Sequence, residues 1–147
     1  MIIEVQSEQA MKALGEKLGS LFRGGEVLEL VGDVGAGKTT LTKGIARGLG
    51  ISDEVSSPSY TILQAYNARD GLTLAHYDFY RLDDAGIMAN ELEETIHDGS
   101  VVTVIEWAKI VGGVLPAGTI HIAITAPTEN SRTLTIDGPA ALQELLS

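Results

Sequence analysis

The most informative segment of this chain is Gly32-Asp33-Val34-Gly35-Ala36-Gly37-Lys38-Thr39. It matches the pattern G-x-x-x-x-G-K-[ST], in which a glycine-rich turn joins a strand to a helix. The apolar run Val27–Val31 precedes the turn and has the length of a short buried strand. Leu41, Ile45 and Leu49 follow it at the four-residue spacing of one helix face. Strand, turn and helix form the first half of a βαβ unit, which predicts an α/β fold with a parallel sheet covered by helices.

The composition of the turn predicts a nucleotide site. Glycine lets the backbone wrap closely around a polyphosphate, and the helix that follows presents its positive N-terminal end to the same anion. Lys38 would reach the β- and γ-phosphates, and the hydroxyl of Thr39 would bind Mg²⁺. The alternative, a glycine-rich turn with an accidental lysine, gives no reason for the strand before the motif and the helix after it. The residues predicted to bind phosphate are Gly35, Ala36, Gly37, Lys38, Thr39 and Thr40.

Hydrolysis needs a further carboxylate, which holds Mg²⁺ or orients the attacking water at the end of a neighbouring strand. Two residues fit this position. Glu106 ends the β-branched run 101–105, which has the pattern of a central parallel strand, and Asp78 ends the weaker strand 72–77. Each could instead be a solvated acid at a strand end. The pattern does not divide the two roles between them.

The remaining segments are predicted from apolar periodicity and turn-forming residues. Together with the phosphate loop they predict a three-layer sandwich, in which a mainly parallel central sheet carries antiparallel additions. The segments are a helix capped by Ser7 with Met11, Leu14, Leu18 and Leu21 on one face; a hairpin of residues 60–66 and 72–80; one or two short helices in residues 83–98; a closing hairpin of residues 119–125 and 133–136; and a short helix starting at Pro139.

Composition excludes several classes of function. The 147 residues are 44% hydrophobic, which suits one domain over residues 1–147. Ten basic and twenty acidic residues leave a net charge of −10, which argues against a protein that itself grips a nucleic-acid backbone. The absence of cysteine excludes disulfides and thiolate chemistry. No apolar run approaches the roughly 20 residues that span a bilayer, and no signal peptide is evident, so we expect a cytoplasmic domain with no membrane contact.

The single tryptophan and the three histidines give weaker signals. From its residue type alone, Trp107 is expected to pack in the core. His76, His97 and His121 show no metal-binding spacing and are interpreted as structural, although His76 shares a strand face with Asp78.

Four motifs in this order resemble the TsaE family, also called YjeE, the small ATPase of bacterial threonylcarbamoyladenosine tRNA modification. The resemblance covers nearly the whole chain, and the three later motifs make it more specific than a phosphate loop alone. The motifs are residues 32–40, Ser57-Pro58-Ser59-Tyr60-Thr61, His76-Tyr77-Asp78-Phe79-Tyr80-Arg81-Leu82 and Ile105-Glu106-Trp107.

The resemblance implies a P-loop NTPase-like domain that hydrolyses Mg-ATP and acts with two partner proteins, TsaD and TsaB. In that system TsaD transfers the threonylcarbamoyl group to tRNA, and the ATPase supports repeated turnover. The family member meets tRNA only indirectly, through the complex, which agrees with the acidic composition found here.

The resemblance also assigns roles to residues. It makes Thr39 and Glu106 the Mg²⁺ ligands and Asp78 an essential acid near the phosphates. It also places Glu8, Trp107 and Arg132 at the nucleotide. A fourth residue, Ser59, lies in a segment that resembles one sensing the γ-phosphate. Two positions depart from the family pattern, since Ser59 replaces a threonine and Ala108 replaces a proline.

Two other functions use the same loop. A small-molecule kinase would carry a basic lid or acceptor pocket, whereas the ten basic residues of this chain are scattered. A nucleotide-gated binding module would change its affinity for a partner without consuming ATP. The ATPase is the leading hypothesis, and the oligomeric state is left open.

Overall fold

The computed structural model describes residues 1–33, 35–52, 55, 62–80, 82 and 86–146. These residues form seven strands, four α-helices and two 3₁₀ segments. The elements are β1 (Ile2–Val5), α1 (Glu8–Leu21), β2 (Val27–Val31), α2 (Lys38–Gly48), β3 (Leu63–Asn67), β4 (Thr73–Asp78), α3 (Met88–Ile96), β5 (Val101–Glu106), β6 (Ile120–Thr125), β7 (Arg132–Asp137) and α4 (Ala140–Leu146), with the 3₁₀ segments at Arg69–Gly71 and Ala108–Val114.

One sheet contains all seven strands in the order β1-β7-β6-β2-β5-β4-β3. Its centre is parallel, because β2 pairs in parallel with β5 and β6, and β5 pairs in parallel with β4. The outer strands β3, β7 and β1 are added antiparallel. The expected class, a mainly parallel central sheet with antiparallel additions, is therefore confirmed.

Two hydrophobic clusters cover the two faces of the sheet. The larger cluster joins alternate residues of β2, β5 and β6 to α1, α2 and α4, for example Leu28 to Leu41 and Ile45. The smaller cluster joins Tyr77 of β4 to Leu92 of α3 and to the second 3₁₀ segment. Helices thus lie on both sides of the sheet, which is the three-layer arrangement that a parallel sheet requires.

Helices α1 and α2 approach each other so closely that glycine is required at their crossing. A Cβ atom built on Gly44 would lie 2.3 Å from the Lys12 carbonyl oxygen, and one on Gly19 would lie 2.2 Å from the Ile45 carbonyl oxygen. Gly15 and Gly48 are equally restricted. Since α2 begins at the lysine of the phosphate loop, this crossing contributes to the position of that loop.

Most predicted segments are confirmed, with shifted bounds. Ser7 caps α1 by accepting a hydrogen bond of 3.0 Å from the Ala10 amide. The hairpin predicted over 60–66 and 72–80 is present as β3 and β4, which pair antiparallel, and residues 60 and 61 lie outside the described residues. Residues 83–98 contain one described helix, α3, while 83–85 are not described. Strand β1 was missed, because four residues at a sheet edge carry too little periodicity to predict a strand.

No helix among the described residues is both long and apolar enough to cross a membrane.

Candidate nucleotide site

The phosphate loop lies between the carboxyl end of β2 and the first turn of α2. Gly35 has φ +85° and Gly37 has φ +111°, a backbone region that side chains disfavour, so both positions require glycine. Gly32 is restricted differently, since a Cβ there would lie 2.9 Å from the Ile124 carbonyl oxygen. The amide of Ala36 donates to the Asp33 carbonyl at 3.0 Å, which tightens the turn. Of the loop, only residue 34 lies outside the described residues.

Lys38 is the first residue of α2, and its side chain folds back under the loop. Its Nζ donates a hydrogen bond of 2.7 Å to the Gly32 carbonyl oxygen and lies 3.9 Å from Oε1 of Glu106. The same ammonium lies 4.1 Å from the ring centroid of Trp107, a cation–π contact. Lys38 is 6% exposed and Glu106 is 3% exposed, so both charges are buried together. A buried ammonium requires such partners, and their arrangement holds it beside the space that the loop encloses.

The two predicted acids lie side by side at the ends of adjacent parallel strands. Asp78 of β4 and Glu106 of β5 are paired in the register of the sheet, and Leu30 of β2 pairs with Glu106 on the other side. Both carboxylates are therefore at the carboxyl edge next to the phosphate loop, where ligands bind in open α/β sheets. Glu106 is buried, whereas Asp78 is half-buried and accepts a hydrogen bond of 2.9 Å from the Tyr80 amide.

A third buried group contacts this edge. His76 lies two residues before Asp78 on β4, is fully buried, and places Nε2 2.6 Å from Oε2 of Glu106. The sequence interpretation of His76 as structural missed this contact. Its shared strand face with Asp78 was the available signal, but the pairing of β4 with β5 was needed to bring Glu106 within reach.

Trp107 combines both sequence expectations. It is half-buried and packs against the smaller hydrophobic cluster, and its indole also lies over Lys38. Its backbone is left-handed, with φ +57°, which turns the chain away from β5 directly after Glu106. The ring of Tyr80 contacts it with centroids 4.9 Å apart and planes inclined at 50°. Core packing alone therefore does not describe this residue.

A cavity of about 470 Å³ lies next to the loop. Arg132 forms part of its wall, donating from Nε to the Ala36 carbonyl at 2.9 Å and from Nη1 to the carbonyl of Glu129 at 3.1 Å. This guanidinium joins the turn before β7 to the phosphate loop. Five residues expected at the nucleotide line this cavity: Glu8, Gly35, Gly37, Thr40 and Arg132. The other lining residues are Gln6, Ser7, Met11, Glu129 and Asn130.

Not every candidate residue is brought together. Ser59 lies outside the described residues. His97 contacts the carbonyl of Glu93, and His121 contacts Glu29, so neither reaches the phosphate loop.

The described part of the chain contains no group of three His, Cys, Asp or Glu side chains arranged to hold a metal. The oxygen donors of Thr39, Asp78 and Glu106 nevertheless fit Mg²⁺ chemically, because that ion prefers a few oxygen ligands and keeps several waters.

Comparison with known proteins gives consistent matches. The chain matches the family model described as Threonylcarbamoyl adenosine biosynthesis protein TsaE over residues 5–134. The tRNA threonylcarbamoyladenosine biosynthesis protein TsaE of Bacillus subtilis is 40% identical over 136 residues, covering 92% of this chain and 84% of that protein. The protein of the same name from Treponema pallidum is 37% identical over 131 residues, covering 89% and 96%. A crystal structure of Bacillus subtilis YdiB is similar with a TM-score of 0.77 and 34% identity, covering 99% of this chain and 90% of that one.

Proposed function

The chain belongs to the TsaE family, and we propose on that basis that it is the ATPase component of the tRNA threonylcarbamoyladenosine modification system. It binds Mg-ATP at the phosphate loop and hydrolyses ATP with water to ADP and phosphate. The reaction supports turnover of a TsaD–TsaB complex in the cytoplasm.

The main structural support for this proposal is the buried position of Lys38, between the Gly32 carbonyl and Glu106. Its ammonium donates to the Gly32 carbonyl and lies beside Glu106, next to the loop that would cradle the phosphates. Incoming β- and γ-phosphates would replace the carbonyl as the partner of this ammonium, because a phosphate oxygen forms a stronger, charge-assisted hydrogen bond. The site is therefore prepared for a polyphosphate before one arrives.

The neighbouring side chains supply the remaining roles. Thr39 and Glu106 would hold Mg²⁺, which when bound neutralises charge on the β- and γ-oxygens. Asp78 is the acid that we assign to the attacking water, because it ends the adjacent strand beside Glu106. The cavity walled by Glu8, Thr40 and Arg132 would receive the nucleoside, since it opens directly onto the loop glycines.

The basic residues support an indirect relation to tRNA. The chain has only ten lysines and arginines, and three of them are already bonded to groups of the chain itself. Lys38 is buried, Arg132 donates to carbonyls at the loop, and Nη2 of Arg69 donates to the carbonyls of Gly19, Ser20 and Phe22 at 3.0–3.2 Å. With a net charge of −10, the chain offers few free cations for a phosphate backbone, so tRNA would be met through TsaD and TsaB.

An ATPase assay with and without purified TsaD and TsaB tests the proposal. We expect slow release of phosphate by the chain alone and faster release with both partners. Glu106→Gln should bind ATP but lose turnover, because an amide is a poorer Mg²⁺ ligand than a carboxylate. Glu94→Gln, an exposed change on α3, is the matched control and should retain activity.

Two results would contradict the proposal. Transfer of the γ-phosphate to a small metabolite faster than to water would indicate a kinase. Full partner-dependent function in Glu106→Gln without any hydrolysis would indicate a nucleotide-gated binding module.

A further inference from the structure

A buried histidine beside a buried carboxylate needs an explanation. His76 lies on the sheet face that carries the larger hydrophobic cluster, where its neighbours Leu74 and Val104 are fully buried and apolar. An imidazole at such a position loses its contacts with water, which is unfavourable unless its polar atoms are bonded. Among the residues that the structure describes, its short polar contact is the one of 2.6 Å between Nε2 and Oε2 of Glu106.

The chemistry of the two groups indicates which atom donates in the contact between His76 and Glu106. A carboxylate that binds Mg²⁺ is ionised and only accepts, so in that role of Glu106 the Nε2 atom of His76 would donate and Nδ1 would be the other ring nitrogen. Nδ1 is buried and has no hydrogen-bond partner among the described residues. Within the described part of the chain, the ring therefore has a single polar interaction, the one with Glu106.

Glu106 in turn depends on this donor. Its Oε1 lies 3.9 Å from Lys38 Nζ, which is an ion pair beyond hydrogen-bond distance. Among the described residues, His76 thus makes the only short hydrogen bond to the carboxylate of Glu106. When Lys38 engages a phosphate, the bond from His76 is the one that still fixes how Glu106 is rotated.

We propose that His76 is a positioning residue: it holds Oε2 of Glu106 so that Oε1 faces the phosphate loop in the orientation required of a Mg²⁺ ligand. The inference rests on the proposed function, because it takes Glu106 as that ligand. Partners that orient a metal ligand in this way typically change metal affinity by roughly 10- to 100-fold when removed.

Three variants of His76 separate positioning from mere packing. His76→Gln keeps an N–H donor at nearly the reach of Nε2, His76→Asn keeps an amide too short to reach, and His76→Leu fills the space without any donor. The control is His121→Leu, which breaks another histidine–glutamate contact of 2.7 Å, to Glu29.

The measurement is the affinity for a non-hydrolysable ATP analogue by calorimetry, as a function of Mg²⁺ concentration. For His76→Leu and His76→Asn we expect the Mg²⁺ concentration at half-effect to rise roughly 10- to 100-fold. Binding of the analogue without Mg²⁺ should stay unchanged, because Lys38 and the loop hold the phosphates. His76→Gln should lie near the wild type, and His121→Leu should match it.

A double variant tests the route of the effect. In a Glu106→Gln background, His76→Leu should cause no further change in Mg²⁺ dependence, since the ligand that it orients is already gone. An unchanged Mg²⁺ dependence in His76→Leu would overturn the inference, as would equal impairment of the Gln and Leu variants or an effect that persists in the Glu106→Gln background. If the wild type itself shows no Mg²⁺-dependent binding, the proposed function fails and the inference fails with it.

Discussion

Replacing Gly44 by alanine should destabilise the protein, because it adds a methyl group where α1 and α2 touch. The new Cβ would lie 2.3 Å from the carbonyl oxygen of Lys12, whereas ordinary contact begins at 3.4 Å. The helices must therefore part by about 1 Å at this point. The obstacle is backbone, so no side-chain rotation can relieve it.

The expected magnitude follows from two opposing terms. Overpacking of a well-packed interface costs about 1–3 kcal/mol, and a rigid backbone contact belongs at the upper end of that range. Alanine is favoured over glycine inside a helix by about 1 kcal/mol. The free energy of unfolding should thus fall by about 2 kcal/mol, which for a chain of this size corresponds to a Tm lower by about 4–8 °C.

Urea and thermal unfolding followed by circular dichroism measure this change. Gly113→Ala is the matched control, since a Cβ there meets no atom within 4 Å and the backbone is not left-handed. It should be neutral or slightly stabilising. Because α2 begins at Lys38, Gly44→Ala should also weaken ATP binding, while Gly113→Ala should not. A Gly44→Ala protein as stable as the wild type would refute the close approach of the two helices.

Three further predictions concern the site and the opposite face of the sheet. Lys38→Ala should weaken ATP binding roughly 10- to 100-fold, because charge-assisted hydrogen bonds are lost; calorimetry showing unchanged affinity would contradict its placement. Trp107 fluorescence should change as nucleotide draws the Lys38 ammonium away from its indole, and a flat titration despite independently measured binding would count against that contact. Burial raises the pKa of Tyr77 above 10.0, an effect that the Thr95 hydroxyl opposes and Glu91 reinforces. The folded state therefore binds the phenol proton of Tyr77 more tightly than the unfolded state does. The stabilisation that this proton gives to the folded state is fully present below pH 10.0 and is lost as the pH rises through the folded pKa. Urea unfolding between about pH 9 and 11 should show a shallower alkaline loss of stability in Tyr77→Phe than in the wild type, and equal slopes would refute this.

Local patterns in the sequence were sufficient to predict most of the helices and strands and the phosphate loop. The phosphate loop, Val27–Val31 and α2 are predictable because a strand, a glycine turn and a helix each depend on neighbours within a few residues. The same holds for the Ser7 cap and for the β3–β4 hairpin. Even the acids Asp78 and Glu106 are identified from local sequence, since Glu106 ends a β-branched run and Asp78 ends a weaker predicted strand.

Which of these groups meet depends on contacts between residues that are far apart in the chain. The His76 contact joins residues 30 apart, and the bond from Arg132 to Ala36 joins residues 96 apart. The crossing glycines of α1 and α2 and the pairing of β1 with β7 are long-range in the same way. No local period encodes such contacts, because they depend on strand order and register. Short-range patterns thus specify a phosphate loop with acids at two strand ends, whereas long-range packing brings Lys38, Glu106 and His76 into one buried cluster beside it.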